Sequence, residues 1–319
     1  MENAIRSMAR SLGFTACGIA KAAPVDEVVQ QRFRQWLAEG RQGTMSYLER
    51  NLEKRLNPTL LVEGCKSLIV VALNYYPQQR IPDNEYQLAY YAYGRDYHDV
   101  IRNKLTDLLT WLNGIRGLDN SKTSNLIHAQ RIFVDTAPLL ERFWAEQAGL
   151  GWIGRNHQLI IPNAGSFFIL GVLTTDLELQ PDKPVESRCG ICRKCLDACP
   201  TKALDEDASF DARRCLSYLT IEQKNAIPSD FSTCMGQCIY GCDSCQKACP
   251  WNHAAQPTTE PEFSPLPTLI NMKKEDWYTL RPEQYETLFE GSAVKRAGYE
   301  GLKRNISAVM ANDEDHREQ

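Results

Sequence analysis

Apolar residues along the 319-residue chain fall into two rhythms, one of strands and one of helices. Ser67–Asn74 (SLIVVALN) is a continuous apolar run of strand length and predicts a buried strand. Asp96–Leu112 places Val100, Ile101, Leu105, Leu108, Leu109 and Leu112 at helical spacing, which predicts an amphipathic helix with that side inward. Arg131–Val134 reads as a short strand running into Asp135, and Ala137–Ala148 as a helix with Pro138 in its first turn. Gln158–Pro162 and Ser166–Thr175 read as a hairpin around Asn163-Ala164-Gly165. Met1–Ala20 carries a weaker helical pattern in Ile5, Met8, Ala9 and Leu12. Residues 1–180 therefore read as an α/β unit. The proline-bearing linkers Gln180–Pro184 and Pro257–Pro267 bound a second segment, 185–255, and a short helical tail within 256–319.

The middle segment carries the chemistry. Cys189, Cys192, Cys195 and Cys199, followed by Pro200, spell C-x-x-C-x-x-C-x-x-x-C-P. Three thiolates at that spacing wrap one corner of an iron–sulfur cube, and the fourth is turned toward a neighbouring cube. An imperfect copy follows in Cys242, Cys245, Cys249 and Pro250. Two [4Fe–4S] clusters that exchange a ligand are the expectation. Structural zinc would need fewer thiols in paired motifs, and disulfides suit small secreted domains. Ligand exchange assigns Cys189, Cys192, Cys195 and Cys249 to one cube, and Cys199, Cys242 and Cys245 to the other. A perfect second run would put its last thiolate at position 239, which is Ile239. Cys215, Cys234 and Cys238 remain candidates, with spacing slightly favouring Cys215. Cys17 and Cys65 read as packed thiols.

Composition narrows the setting. A net charge of −4 gives no global field for nucleic acid, although Lys295, Arg296, Lys303 and Arg304 gather on one helical stretch. Arg213, Arg214 and Lys224 add to the local basic candidates. No apolar run reaches membrane-span length, and the N-terminus has neither an apolar signal core nor a twin-arginine signal. A cytoplasmic protein, with its thiols reduced and available for iron, is expected.

Two further segments invite a ligand. Asp135 ends an apolar strand before a helix, where α/β folds place site residues. Desolvation there would keep its carboxyl protonated as an acid, but Asp135 or Thr136 could equally be a helix cap. Gly149–His157 (GLGWIGRNH) offers glycines that permit close backbone approach to a flat ligand, without the spacing of a dinucleotide fingerprint. A plain glycine-rich turn would look the same, and His157 alone reads more readily as a packing residue.

Taken together these residues resemble the epoxyqueuosine reductase family, cobalamin-dependent iron–sulfur enzymes of queuosine modification in tRNA. The likeness spans nearly the whole chain. It rests on Val134-Asp135-Thr136-Ala137-Pro138-Leu139-Leu140-Glu141-Arg142, Gly149–Asn156, Ala164–Phe168 and Cys189–Lys202. It continues through Asp211–Cys215, Ser217–Glu222, Ile239–Cys245 and Cys249–Asn252. It implies an α+β fold: a nitroreductase-like cobalamin-binding domain over 1–180, a ferredoxin-like module with two [4Fe–4S] clusters over 185–255, and the tail over 256–319. It implies Asp135 as proton donor and Cys215 as the eighth thiolate. The corrin contacts expected with it are Asn57, Tyr97, Asp135, Asn156, His157, Gln158, Ser166, Phe167, Thr220, Gln223 and Gly241. The implied partners are tRNA bearing epoxyqueuosine in its anticodon and an unidentified electron donor, with the protein a monomer and no membrane involved. Asp96-Tyr97-His98 begins like the loop that supplies a histidine to cobalt elsewhere, but Ile101 stands where that loop has glycine. Cys234 and Cys238 are thiols the family does not usually carry, and the helical-repeat extension of longer members is missing. A reductive dehalogenase or a simple electron carrier would share some of these features. The former usually carries an export signal, and the latter would not need the N-terminal half.

Overall fold

The run Ser67–Asn74 becomes the central strand because it is buried on both faces at every position but the last. The computed structural model describes residues 1–117, 129–206 and 209–315. Strand β1 (Ala16–Lys21) pairs antiparallel with β2 (Ser67–Asn74), Ala16 opposite Ala72 and Lys21 opposite Ser67. Strands β3 (Gln87–Leu88), β4 (Ile132–Phe133), β5 (Trp152–Ile153), β6 (Leu159–Ile160), β7 (Phe168–Thr175) and β8 (Cys238–Tyr240) follow in the chain. The main sheet has the order β1-β2-β7-β4, and each of its pairings is antiparallel. That makes the architecture α+β rather than a parallel α/β sheet. Side-chain alternation gives each face its own core. Ile19, Ile69, Val71 and Leu173 face the helices Glu2–Ser11 and Tyr97–Ile115, while Ala20, Val70, Ala72 and Val172 face the helix Glu141–Gln147 through Trp144 and Ala145.

The expected amphipathic helix starts where its sequence says. The Asp96 carboxylate accepts from the His98 N–H at 2.9 Å, and the helix runs on to Ile115, with Val100, Ile101, Leu105, Leu108 and Leu112 buried. Two expectations change. The helix placed at Ala137 starts at Glu141, because Ala137–Leu140 form a bend with Leu139 N–H bonded to Ala137 O. The expected hairpin dissolves as well: β6 pairs with β5, and only the Ile161–Gly165 bridge closes the Asn163 turn. Gly151 makes that pairing possible, since a Cβ there would stand 2.0 Å from Ile160 O.

The cysteine segment and the tail are not appended modules. Strand β8 pairs in parallel with β3 of the N-terminal unit. The helix Gly298–Asp315 packs on β8 and on the helix Leu216–Ile221. Trp277, Tyr285, Phe289, Leu302 and Ile306 of the tail belong to the same hydrophobic cluster as Ile69, Leu105 and Tyr240. None of the described helices is long and apolar enough to cross a membrane.

Candidate functional site

Single helical turns, Lys194–Asp197 and Ser244–Lys247, carry Cys195 and Cys245 and pack against each other. The thiols sort into two sets by mutual electrostatic influence. Cys195 interacts with Cys249 and Cys189, and Cys249 with Cys189 and Cys192. Cys215 interacts with Cys242 and Cys199, and Cys245 with Cys242, Cys215 and Cys199. Polar hydrogens stand ready for anionic sulfur: the Trp152 indole N–H donates to Cys189 Sγ at 3.4 Å, and the Ala203 N–H to Cys199 Sγ at 3.2 Å. Burial pushes Cys215 up to about 11. Cys242 falls to about 6, chiefly through its hydrogen bond with Cys238 and against the opposing effect of burial. Cys238 also donates to Gly241 O at 2.7 Å, and Cys234 contacts Asp230 O at 3.5 Å. By the same measure Cys238 joins the second group through Cys242, so four thiols gather for one iron–sulfur cube and five candidates, Cys199, Cys215, Cys238, Cys242 and Cys245, for the other.

A second constellation surrounds Asp135. After β4 the chain turns sharply. Asp135 has φ +57°, and the Thr136 N–H bonds back to Val134 O at 2.6 Å. The Asp135 N–H donates to Glu141 Oε1 at 2.6 Å, and the Tyr97 hydroxyl donates to Asp135 Oδ2 at 2.7 Å. His98 Nε2 lies 3.8 Å from the same oxygen, while its Nδ1 is 2.7 Å from Asp96 Oδ1. Burial, then the charge of Asp135, raises the Tyr97 phenol above its ordinary range, so it remains a donor. The helix begins too late for Asp135 or Thr136 to cap it. The expected desolvation falls on a different carboxyl. The Asp135 side chain is 64 % exposed, whereas desolvation, helped by the charge of Asp135, raises Glu141 to about 8. Buried Arg55 and the exposed Tyr47 and Arg296 all lie within electrostatic reach of Asp135. Tyr91 bridges Tyr97 and Tyr240 with ring centroids 5.9 and 6.3 Å away, so aromatic contact runs from Asp135 to the strand that delivers Gly241 and Cys242.

The other expected contacts are distributed. Asn57 caps the Pro58–Leu61 turn through Thr59 N–H at 3.0 Å. Asn156 is buried; its Oδ1 accepts from Gln158 N–H at 3.2 Å and its Nδ2 has no partner. His157 packs on Phe210 at 5.4 Å. Ser166 is tied to Asn252 and Gln246 of the cysteine segment, its N–H donating to Asn252 Oδ1 at 2.6 Å. Phe167 is a core side chain against Tyr75, Tyr76 and Tyr90. Thr220 accepts from Gly241 N–H at 2.9 Å, and Gln223 Oε1 accepts from the Tyr218 hydroxyl at 3.2 Å. Gly151 and Gly165 lie close to protein, not open to a flat ligand, since a Cβ at Gly165 would come 2.3 Å from Asn252 Oδ1. The unpartnered Asn156 amide is the observation that fits a further, amide-rich group such as cobalamin. Sequence reasoning passed over Glu141, Arg55 and Tyr91. Glu141 alone had a local signal, as an acidic residue among apolar neighbours shortly after Asp135.

The basic residues expected to meet nucleic acid have partners within the protein, while Arg213, Lys295 and Arg296 stay exposed. Arg296 pairs with Glu222 at 3.0 Å, Lys295 with Glu286 at 2.7 Å and Arg213 with Asp211 at 2.7 Å. Lys303 donates to Tyr278 O, Lys224 to Ile221 O and Arg214 to Thr201 O. Arg304 donates to Leu219, Gln223 and Asn225 carbonyls.

Known proteins match this arrangement along the chain. The family model for epoxyqueuosine reductase QueG matches residues 55–136, and that for a 4Fe-4S double cluster binding domain matches 188–252. An epoxyqueuosine reductase from Cellulophaga algicola is 42% identical over 302 residues, covering 95% of each chain. One from Leadbetterella byssophila is 43% identical, covering 96% of this chain and 97% of its own. The crystal structure of an epoxyqueuosine reductase with a tRNA-Tyr epoxyqueuosine-modified stem loop superposes with a TM-score of 0.86 at 30% identity, covering 99% of this chain and 82% of that one. The Bacillus subtilis enzyme, with its catalytic aspartate loop swung out of the active site, gives 0.85 at 30% identity over the same shares.

Proposed function

The chain belongs to the epoxyqueuosine reductase family, and from that premise we propose that it reduces epoxyqueuosine at the wobble position of tRNA to queuosine, with Asp135 as the proton donor. The change removes the epoxide oxygen as water and consumes two electrons and two protons. Two [4Fe–4S] clusters, on Cys189, Cys192, Cys195 and Cys249 and on Cys199, Cys215, Cys242 and Cys245, would pass the electrons singly. Cobalamin, when bound, supplies the low-potential metal that delivers them to the epoxide. Asn156, with its unpartnered amide, and the Tyr97 and Gly241 neighbourhood are the residues we assign to holding it, in a nitroreductase-like N-terminal unit. A cytoplasmic setting and an external electron donor complete this reading.

The protein's own contribution is to hold and deliver a proton. The observation that carries it is the Tyr97–Asp135 hydrogen bond of 2.7 Å inside a left-handed turn. The phenol fixes one carboxyl oxygen, and the exposed face of the carboxyl is free to meet substrate. Substrate and cofactor together would exclude water there. Asn at this position keeps the shape and loses the proton. Asp135→Asn is expected to retain iron and corrinoid and to lose about 10²–10⁴-fold in turnover on epoxyqueuosine tRNA. Turnover within a few-fold of wild type at equal cofactor loading would remove the acid role.

A further inference from the structure

A second carboxyl stands behind Asp135, and the reaction as described leaves it idle. Asp135 lies at the centre of a three-residue turn: the Thr136 N–H closes on Val134 O at 2.6 Å around a residue with φ +57°. Residues other than glycine rarely adopt that conformation, and it persists only where surrounding contacts enforce it. The enforcing contact is visible. The Asp135 N–H donates to Glu141 Oε1 at 2.6 Å. Glu141 opens the helix Glu141–Gln147, which is anchored by buried Trp144 and Ala145 beneath the sheet. Between the two carboxyls the bend has one backbone bond of its own, Leu139 N–H to Ala137 O at 2.8 Å, and Pro138 has no N–H to give.

We propose that Glu141 is a positioning residue: its carboxyl holds the Asp135 N–H, fixes the turn, and so sets where the Asp135 carboxyl meets the substrate. The inference rests on the acid role of Asp135 given above. Glu141 acts through a backbone hydrogen bond and touches no reacting atom. What matters is an oxygen acceptor at the right place, which glutamine also provides and alanine does not.

The test compares Glu141→Gln, Glu141→Ala and Asp135→Asn with wild type, all carrying both kinds of cofactor. One readout is hydrogen exchange of the Asp135 amide, followed by mass spectrometry on peptides spanning 133–140. The other is the kcat against KM split on epoxyqueuosine tRNA. Glu141→Ala is expected to exchange that amide at least about 10-fold faster and to lose at least about 10-fold in kcat with KM unchanged. Glu141→Gln is expected to rescue amide protection and to restore kcat to within about 3-fold of wild type. Unchanged exchange in Glu141→Ala overturns the proposal, as does a Gln variant as impaired as the Ala one. Should the Ala variant not fold, Glu141→Leu, which fills the volume without an acceptor, takes its place and carries the same expectations. Wild-type turnover by Asp135→Asn would sink the acid role, and the exchange measurement would still judge Glu141. An inactive Asp135→Asn beside a fully active Glu141→Ala would sink only the positioning role.

Discussion

Arg304 is where charge read from the sequence and charge seen in the fold disagree most, and Arg304→Ala separates them. Its guanidinium donates to Leu219 O at 2.9 Å and Asn225 O at 2.9 Å, and to Gln223 O as well. Leu219 belongs to the helix Leu216–Ile221, whose last carbonyls have no partner within the helix. A hydrogen bond from a charged donor is worth roughly 1.5–3 kcal/mol, and a carbonyl that can turn to water loses little. Counting Leu219 and Gln223 as the costly losses, and discounting for partial exposure, gives about 2–4 kcal/mol. An unfolding entropy of about 2.1 cal/mol/K per residue comes to about 0.7 kcal/mol/K for this chain. The midpoint of cofactor-loaded protein should therefore fall by about 3–6 °C, read from visible cluster absorbance at a fixed heating rate. The salt dependence of tRNA binding should not change, because the side chain is already committed to protein. A phosphate contact would instead flatten the slope of log affinity against log salt by about 0.7–0.9. A midpoint within a degree of wild type, together with such a flattening, would refute the structural role.

The two candidate thiols around Cys242 can be told apart by iron content. Cys215→Ser is expected to retain about four irons per chain, and Cys238→Ser about eight. The reverse pattern would make Cys238 the eighth ligand. Stability against pH tests Glu141. Its folded value of about 8 lies above its ordinary value of 4.5, so between those values the folded chain holds a proton that the unfolded chain has released. Stability should fall as pH rises through that window, by no more than about 1.4 kcal/mol per pH unit, and Glu141→Gln should lack this component. Urea midpoints for both proteins at pH 5 to 9 that run parallel would show that Glu141 titrates normally.

What the sequence made legible was set by local physics. The buried strand Ser67–Asn74 and the Asp96 cap are written in adjacent residues, so the pattern located both. The helix at Ala137 failed because proline in a first helical turn and proline in a bend look alike. The bend is accompanied by a hydrogen bond between residues six apart, Asp135 N–H to Glu141, which the pattern of apolar positions does not encode. The hairpin failed for a similar reason, since the partner of β6 depends on how closely Gly151 lets β5 approach. The cysteine run was readable because ligand spacing is itself the local rule. The internal partners of the basic cluster were not, because side-chain charge says nothing about which carboxylates and backbone carbonyls lie within reach.

The C-terminal segment shows why the site cannot be divided at the linkers. Asn305, fully buried, donates to Thr220 O and Ile239 O, both at 2.8 Å. The Thr220 hydroxyl in turn receives the Gly241 N–H, which sets the backbone just ahead of Cys242. Tyr240, beside Gly241, donates to Ala293 O at 2.6 Å and meets Tyr91, which meets Tyr97, which holds Asp135. A thiol of the second set and Asp135, the proton donor proposed above, are thus both tied to the C-terminal segment, one through Asn305 of the helix Gly298–Asp315 and the other through Ala293. The hydrogen bonds of Asn305, Gly241 and Tyr240 are buried, where an unmet polar group costs most, so those links resist independent movement; only the last, Tyr97 to Asp135, opens to solvent. Electron delivery and proton delivery to one substrate atom require two origins at a fixed separation. A tail packed into the common core supplies that constraint more firmly than two flexible linkers could.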